Sequence, residues 1–155
     1  MARFTGTGTC ISVSIGVPAT HDSAGFAALT YTILGELESL GEIEVNHEAV
    51  NFTNLCTGKT SIAKGPEGQI EFPIMVAMDR DDAGQALMTT ARKNLTQIIA
   101  MKVLDSAGDI QYLRAVVLGE RVSGGAASNA IRMNNYKLGV VAPATGDTVV
   151  VINAI

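Results

Sequence analysis

This sequence predicts a mainly β domain, a β-sandwich or barrel of about six or seven strands with one short flanking α-helix. Three observations carry that prediction. Acidic and apolar residues alternate with a period of two through Leu34 to Glu48, the spacing of a strand whose two faces meet different surroundings. Of the 155 residues 47% are apolar but only 5% aromatic, with no Trp, so the core is built from Val, Ile, Leu, Ala and Met, and sixteen glycines cut the chain into short segments. One segment alone carries the start and stop signals of a helix. The length suits one core and is too short for two.

Residues 1 to 28 are rich in Gly, Thr, Ser and Ala, with a short alternation at Ile11, Val13 and Ile15 closed by Gly16 and Pro18. So little apolar area predicts an arm, mobile unless a neighbour pins it. From Leu29 a strand-like pattern runs to about Asn51. Within it Leu37, Ile43 and Val45 fall on odd positions, with His47 beside them. Glu36, Glu38, Glu42, Glu44 and Glu48 fall on even ones, with Leu40 the one apolar residue on the acidic face. Like charges two apart on a strand lie about 6 to 7 Å from each other, within a Debye length, so the row costs some stability. It is either a solvated face or a surface selected to be negative.

Residues 51 to 68 have turn chemistry at Thr57-Gly58 and Gly65-Pro66 and read as a long loop or an extended hairpin tip. Ile70, Phe72, Ile74, Val76 and Met78 then mark a strand, with Pro73 placing it at an edge or a bulge. The helix spans about 81 to 94. Asp82 and Gln85 have capping-box spacing, Ala83, Ala86, Leu87 and Ala91 share a face, and Arg92 and Lys93 suit the C-terminal dipole. Two strands follow around a turn at Asp105 to Asp109, then a break at Gly124-Gly125 and two more strands.

No catalytic constellation emerges. Thr57-Gly58-Lys59-Thr60 resembles the end of a phosphate-binding loop, but Thr53 stands where glycine is required. Gly6 and Gly8 lack the third glycine of a dinucleotide turn. His21, Asp22 and Ser23 are too close in sequence to converge as a triad, and read as a turn. The two histidines have no zinc-ligand spacing, and Cys10 and Cys56 read as ordinary reduced thiols. A net charge of −4 argues against binding nucleic acid phosphates. No signal peptide and no membrane-spanning run is expected.

Several motifs recur in a fixed order: Leu34-Gly-Glu-Leu37, then Leu55-Cys-Thr-Gly58 leading to Lys64-Gly65, the return through Gln69 to Phe72, and Asp82-Ala-Gly-Gln85-Ala-Leu87 opening the helix. With the final hairpin and terminal strand, they resemble the tail tube (major tail) proteins of long-tailed bacteriophages over about Thr30 to Ile155. Related tubes occur in phage-like bacteriocins, gene transfer agents and type VI secretion. The resemblance implies a β-sandwich closed into rings, six copies each, stacked as a hollow tube in the virion tail and assembled in the host bacterial cytoplasm. It implies no catalysis, no cofactor, no metal and no membrane.

Expected partners are the chain itself, a tape-measure protein, a tail terminator and baseplate or distal tail proteins, with DNA passing through unbound. Glu36, Glu38, Glu42, Glu44 and Glu48 are expected to face the lumen, where acids repel the duplex. Thr57, Gly58, Lys59, Thr60, Lys64 and Gly65 are expected to contact the adjacent ring, and Ile11, Val13 and Ile15 to add a strand to a neighbour. The alternative is a non-catalytic β-domain serving as a virion adaptor or a ligand- or partner-binding module, with a concave apolar pocket.

Overall fold

Alternating apolar residues bury a sheet only when a second layer covers them, and here the sheet curls over its own core. The computed structural model describes residues 7–68, 70–123, 131–143 and 147–152. Its strands are β1 (Cys10–Ser14), β2 (Thr32–Ile33), β3 (Leu37–Leu40), β4 (His47–Thr53), β5 (Thr60–Glu67), β6 (Glu71–Ala77), β7 (Ile99–Leu104), β8 (Ile110–Ser123), β9 (Met133–Val140) and β10 (Val150–Ile152). Helix α1 (Ser23–Ala27) precedes β2, and α2 (Ala83–Lys93) lies between β6 and β7. Eight strands form one antiparallel sheet in the order β2-β1-β7-β8-β9-β6-β3, with β10 on β8, while β4 and β5 pair only with each other. The mainly β class and flanking helix are as expected. The strand number exceeds six or seven because β2, β3 and β10 are too short to show a period, and β4 and β5 lie largely where a long loop or an extended hairpin tip is expected.

Strand β8 joins the two halves of the sheet. Its residues 110 to 115 pair with β7 and 115 to 123 with β9, and a bulge lies between Val117 and Gly119. Residues from β1 (Ile11, Val13), β6 (Phe72, Ile74, Val76), β7 (Ile99, Met101, Val103), β8 (Leu113, Ala115, Val117) and β9 (Tyr136, Leu138) share one buried cluster, closed by Met88 and Ala91 of α2. The other face of β7 and β8 holds a smaller cluster, where Phe26 of α1 stacks on Tyr112 with ring centroids 5.4 Å apart.

The arm prediction is overturned for its described part. Strand β1 sits between β2 and β7 of its own chain, and Ile11 and Val13 are fully buried while Ile15 is 59% exposed. Local composition counts only the apolar area a segment brings. The edge of β7, ninety residues on, supplies the rest. Residues 1–6 of the arm lie outside the described residues, as does the expected break at Gly124-Gly125.

The single acidic strand is also corrected: strand pairing stops at Leu40 and resumes at His47. Gly41 ends β3 by donating its N–H to the Pro73 carbonyl at 2.7 Å, and any Cβ there would collide with the proline ring. The register shift between Leu37 and Ser39 brings Leu40 opposite Ile74 and into the core, so Leu40 is not on the acidic face. Val45, expected inside, is 45% exposed.

Helix α2 begins as expected, with the Asp82 carboxylate accepting the Gln85 N–H at 2.9 Å and Arg92 and Lys93 in its last turn. Its inward face is shifted. Gly84, Gln85, Met88 and Ala91 are buried and Leu87 packs against the core, while Ala83 and Ala86 are exposed. Gln85 tolerates burial because its amide donates to the Ala77 carbonyl (2.8 Å) and accepts from the Asp79 N–H (3.1 Å).

Candidate functional site

Strands β3, β6, β9 and the second half of β8 form a layer whose inner positions fill the core and whose outer positions carry polar and flexible side chains. Glu71 and Lys137 form an ion pair there at 3.0 Å. Met75, Asn135 and Arg121 share a shallow concavity of about 640 Å³ with them. Among the described residues β3 has no partner on its outer side. Residues 117 to 123 of β8 have β9 on one side and, among the described residues, no strand on the other. Such edges present unpaired N–H and C=O groups, a ready template for a further strand.

The five glutamates all remain exposed but do not form one row. Glu36 takes a left-handed turn with φ of 57°, and it lines one groove with Glu38. Glu42 and Glu44 lie in the irregular segment after β3, beside Glu71 in a small pocket of about 120 Å³. Glu48 belongs to β4.

The expected loop is a hairpin, β4 and β5 joined by a tip at residues 54–59. Thr57, Gly58 and Lys59 are in that tip, and Thr60, Lys64 and Gly65 are in β5. The Asn54 side chain accepts the Cys56 N–H at 2.9 Å, and Gly58 adopts φ of 68°, so the tip is a tight Asx turn followed by a strand. A phosphate-binding loop would open a helix there instead. Gly65 lies against the Glu48 carbonyl where the register shifts, leaving no room for a Cβ.

Every residue from 47 to 64 is exposed, including Val50 (50%), Phe52 (65%), Leu55 (96%) and Ile62 (75%). Cross-strand pairing puts Val50 and Ala63 on one face with Phe52 and Ser61. A two-stranded hairpin is marginal by itself in water, so one with this much bare apolar surface needs a cover. Reading the segment as a polar loop missed these residues. Their signal was the alternation of Val50 and Phe52; Ile62, paired with Asn51, lies on the hairpin's other face.

A second missed group lies under α2. The Glu120 carboxylate accepts from Arg92 Nε (2.9 Å), Asn134 Nδ2 (3.0 Å) and Thr89 Oγ1 (3.3 Å). Burial pushes that carboxyl up, but the hydrogen bonds from Asn134 and Arg92 and the Arg92 charge outweigh it and hold the group below its ordinary range. Asn134 also donates to the Tyr136 hydroxyl, whose own pKa is raised by burial. These contacts tie helix to sheet.

Elsewhere, Asp22 caps α1 through the Gly25 N–H at 2.8 Å, and His21 Nε2 meets the Asp147 carbonyl at 2.8 Å, so these residues are committed to a turn. Among the described residues no group of three or more His, Cys, Asp or Glu side chains could hold a metal ion, and no helix is long and apolar enough to cross a membrane.

No family model matches the chain, and no curated protein sequence matches it. Solved structures do. The SPP1 tail tube protein is 15% identical, with a TM-score of 0.69 covering 99% of this chain and 81% of that one. The tube-terminating cap of the anti-feeding prophage is 13% identical, with a TM-score of 0.63 covering 99% and 95%. A chain from the C6-symmetric tail of an empty gene transfer agent particle is 12% identical, with a TM-score of 0.63 covering 97% and 98%. At such low identity the likeness is one of backbone architecture, and over nearly its whole length this chain has the fold of the tail tube proteins.

Proposed function

We propose that this chain is a structural subunit that assembles with copies of itself into stacked rings, six copies to a ring, forming a hollow tail tube. The observation that carries this reading is the β4-β5 hairpin, extended from a tail-tube fold with Val50, Phe52, Leu55 and Ile62 left uncovered among the described residues. Sheet edges support it further. The open edge of β3 and the open half of β8 lie at opposite sides of one layer, so head-to-tail pairing of successive copies closes a ring. The sixfold symmetry of the gene transfer agent tail supports that copy number.

In this reading the outer face of the layer lines the channel, with Glu36, Glu38, Glu42, Glu44 and Glu48 contributing negative charge and DNA sliding past without specific binding. The hairpin tip, with Thr57, Gly58, Lys59 and Thr60, reaches the adjacent ring, and Lys64 and Gly65 follow it along β5. A tape-measure protein inside the growing tube, a terminator and baseplate or distal tail proteins complete the partners. The particle's tail is assembled in the host bacterial cytoplasm. The subunit works by packing, not by chemistry.

Electron microscopy of the concentrated protein, and of lysates from producing cells, tests this directly. Hollow tubes of uniform width are expected. A chain that stays monomeric at high concentration with no tubes in lysates sinks the proposal. The likeness to a tube-terminating cap favours a second reading, a terminator subunit. It predicts single rings that never stack.

A further inference from the structure

Strand polarity gives the β3-β6-β9 layer two different ends. The hairpin leaves one end, after Leu40 and before Glu71. At the other end, where β3 and β9 begin and β6 finishes, Glu36, Leu37, Glu38, Met75, Ile131 and Met133 line an open groove of about 640 Å³. Its floor and walls are aliphatic or thioether side chains, and Ile131 is 72% exposed. Its charges are two carboxylates with no ion pair among the described residues. Methionines adapt their shape to an inserted side chain more readily than branched residues do.

The hairpin has the complementary character. Between Ala49 and Pro66 there is no acidic residue, while Lys59 and Lys64 are cationic. Leu55 is 96% exposed at the tip, and Phe52, near the end of β4, is 65% exposed. Leu55 is exposed while the chain's own groove stands open with no hairpin residue lining it, so the tip that fills the groove comes from another copy. The pocket at that base, beside Glu42, Glu44 and Glu71, is about 120 Å³ and mostly polar, too small to take a leucine and a lysine together. At about 3.3 Å per residue, β4 alone is roughly 23 Å long, enough to cross a junction between rings.

We infer that the hairpin tip of one copy seats Leu55 in the groove between Met75, Ile131 and Met133 of a copy in the next ring, with Lys59 against Glu36 and Glu38. The inference rests on the tube reading and deepens it by naming the receiving surface. It also makes stacking directional, because tip and groove are at opposite ends of the subunit and two rings cannot engage face to face with the same contact. Glu36 and Glu38 then form the part of the wall at the seam between rings, offset there by Lys59, and the uncompensated charge of the wall is carried by Glu42, Glu44 and Glu48.

Native Cys56, exposed beside Leu55, supplies a cross-linking probe. In a full-length chain carrying Cys10→Ser, Ile131→Cys brings a second thiol to the groove. Mild oxidation of assembled tubes is expected to give a ladder of disulfide-linked chains on a denaturing gel, and Cys56→Ser is expected to abolish it. Tubes that form normally but give no ladder overturn the docking site and leave the tube reading intact. Absence of tubes from the unaltered protein overturns the tube reading itself. Charge reversal provides an independent arm. Lys59→Glu and Glu38→Lys are each expected to raise the protein concentration needed for tube growth about tenfold, since like charges face each other, and the two together to restore it. A double variant no better than either single one overturns the pairing.

Discussion

Glu120 illustrates how one residue's role depends on a register shift. Before the bulge at Val117 to Gly119 the inward positions of β8 are odd, and after it they are even, so Glu120 turns under α2 while Arg121 turns outward. There it gathers three donors from two elements, Arg92 and Thr89 of α2 and Asn134 of β9. Glu120→Gln keeps the shape but removes the charge, and is expected to destabilise the subunit by about 1 to 2 kcal/mol at neutral pH, measured by urea unfolding. The pH dependence follows from the direction of the shift. The folded-state pKa is lowered from 4.5, so the stabilisation is present above that value and is lost as pH falls through the folded pKa. The gap between the parent and Glu120→Gln should therefore close at acid pH below 4.5. A gap that stays constant down to that range would show the charge to be irrelevant.

At the scale of elements, Asp82 does more than cap a helix. Its carboxylate accepts the Gln85 N–H at 2.9 Å and the Gly35 N–H at 3.2 Å, and Gln85 reaches back to Ala77 and Asp79, so the start of α2, the entry to β3 and the end of β6 are fastened together. Asp82→Ala is expected to cost about 2 kcal/mol, at the upper end for a cap, because two amides lose their acceptor. Thermal unfolding measures it, and a loss confined to a few tenths would mean water replaces the carboxylate freely. The hairpin is the opposite case. Among the described residues its strands pair only with each other and residues 47–64 are exposed, so β4 and β5 should open locally at little cost. Amide exchange of residues 47–67 is expected to be fast in the free subunit and slow in tubes, whereas β1 and β7 should be protected in both. Equal protection of the hairpin in both states would mean that assembly does not cover it.

For the whole molecule, the proposed tube makes the surface offered to copies and to DNA the quantity to test. Glu42→Lys with Glu44→Lys reverses charge in the exposed segment between β3 and the hairpin, away from the core. Tubes are expected to assemble, while DNA delivery slows at low salt and recovers as salt rises, because phosphate attraction to lysine is electrostatic and screened. Unchanged delivery at low salt would make these acids a solvated face and nothing more.

How much was legible in advance divides along the same line. The helix start at Asp82, the turn at Asp105 to Asp109 and the strands on either side of it depend on neighbours within a few residues, and the sequence alone determined them. The inward even positions of β6 and odd positions of β7 could be read the same way. The fate of Ile11 and Val13 could not, because the strand that buries them is β7, far along the chain. Nor could Leu40, whose side is set by a bulge against β6, or the inward turn of Glu120, set by another in β8. A period-two pattern fixes which residues share a face only while the register holds, and one inserted residue reverses every assignment beyond it. The hairpin's exposed Phe52 and Leu55 belong to the same class: alternation marks a strand, but only the tertiary structure decides whether the chain itself supplies the surface that covers it.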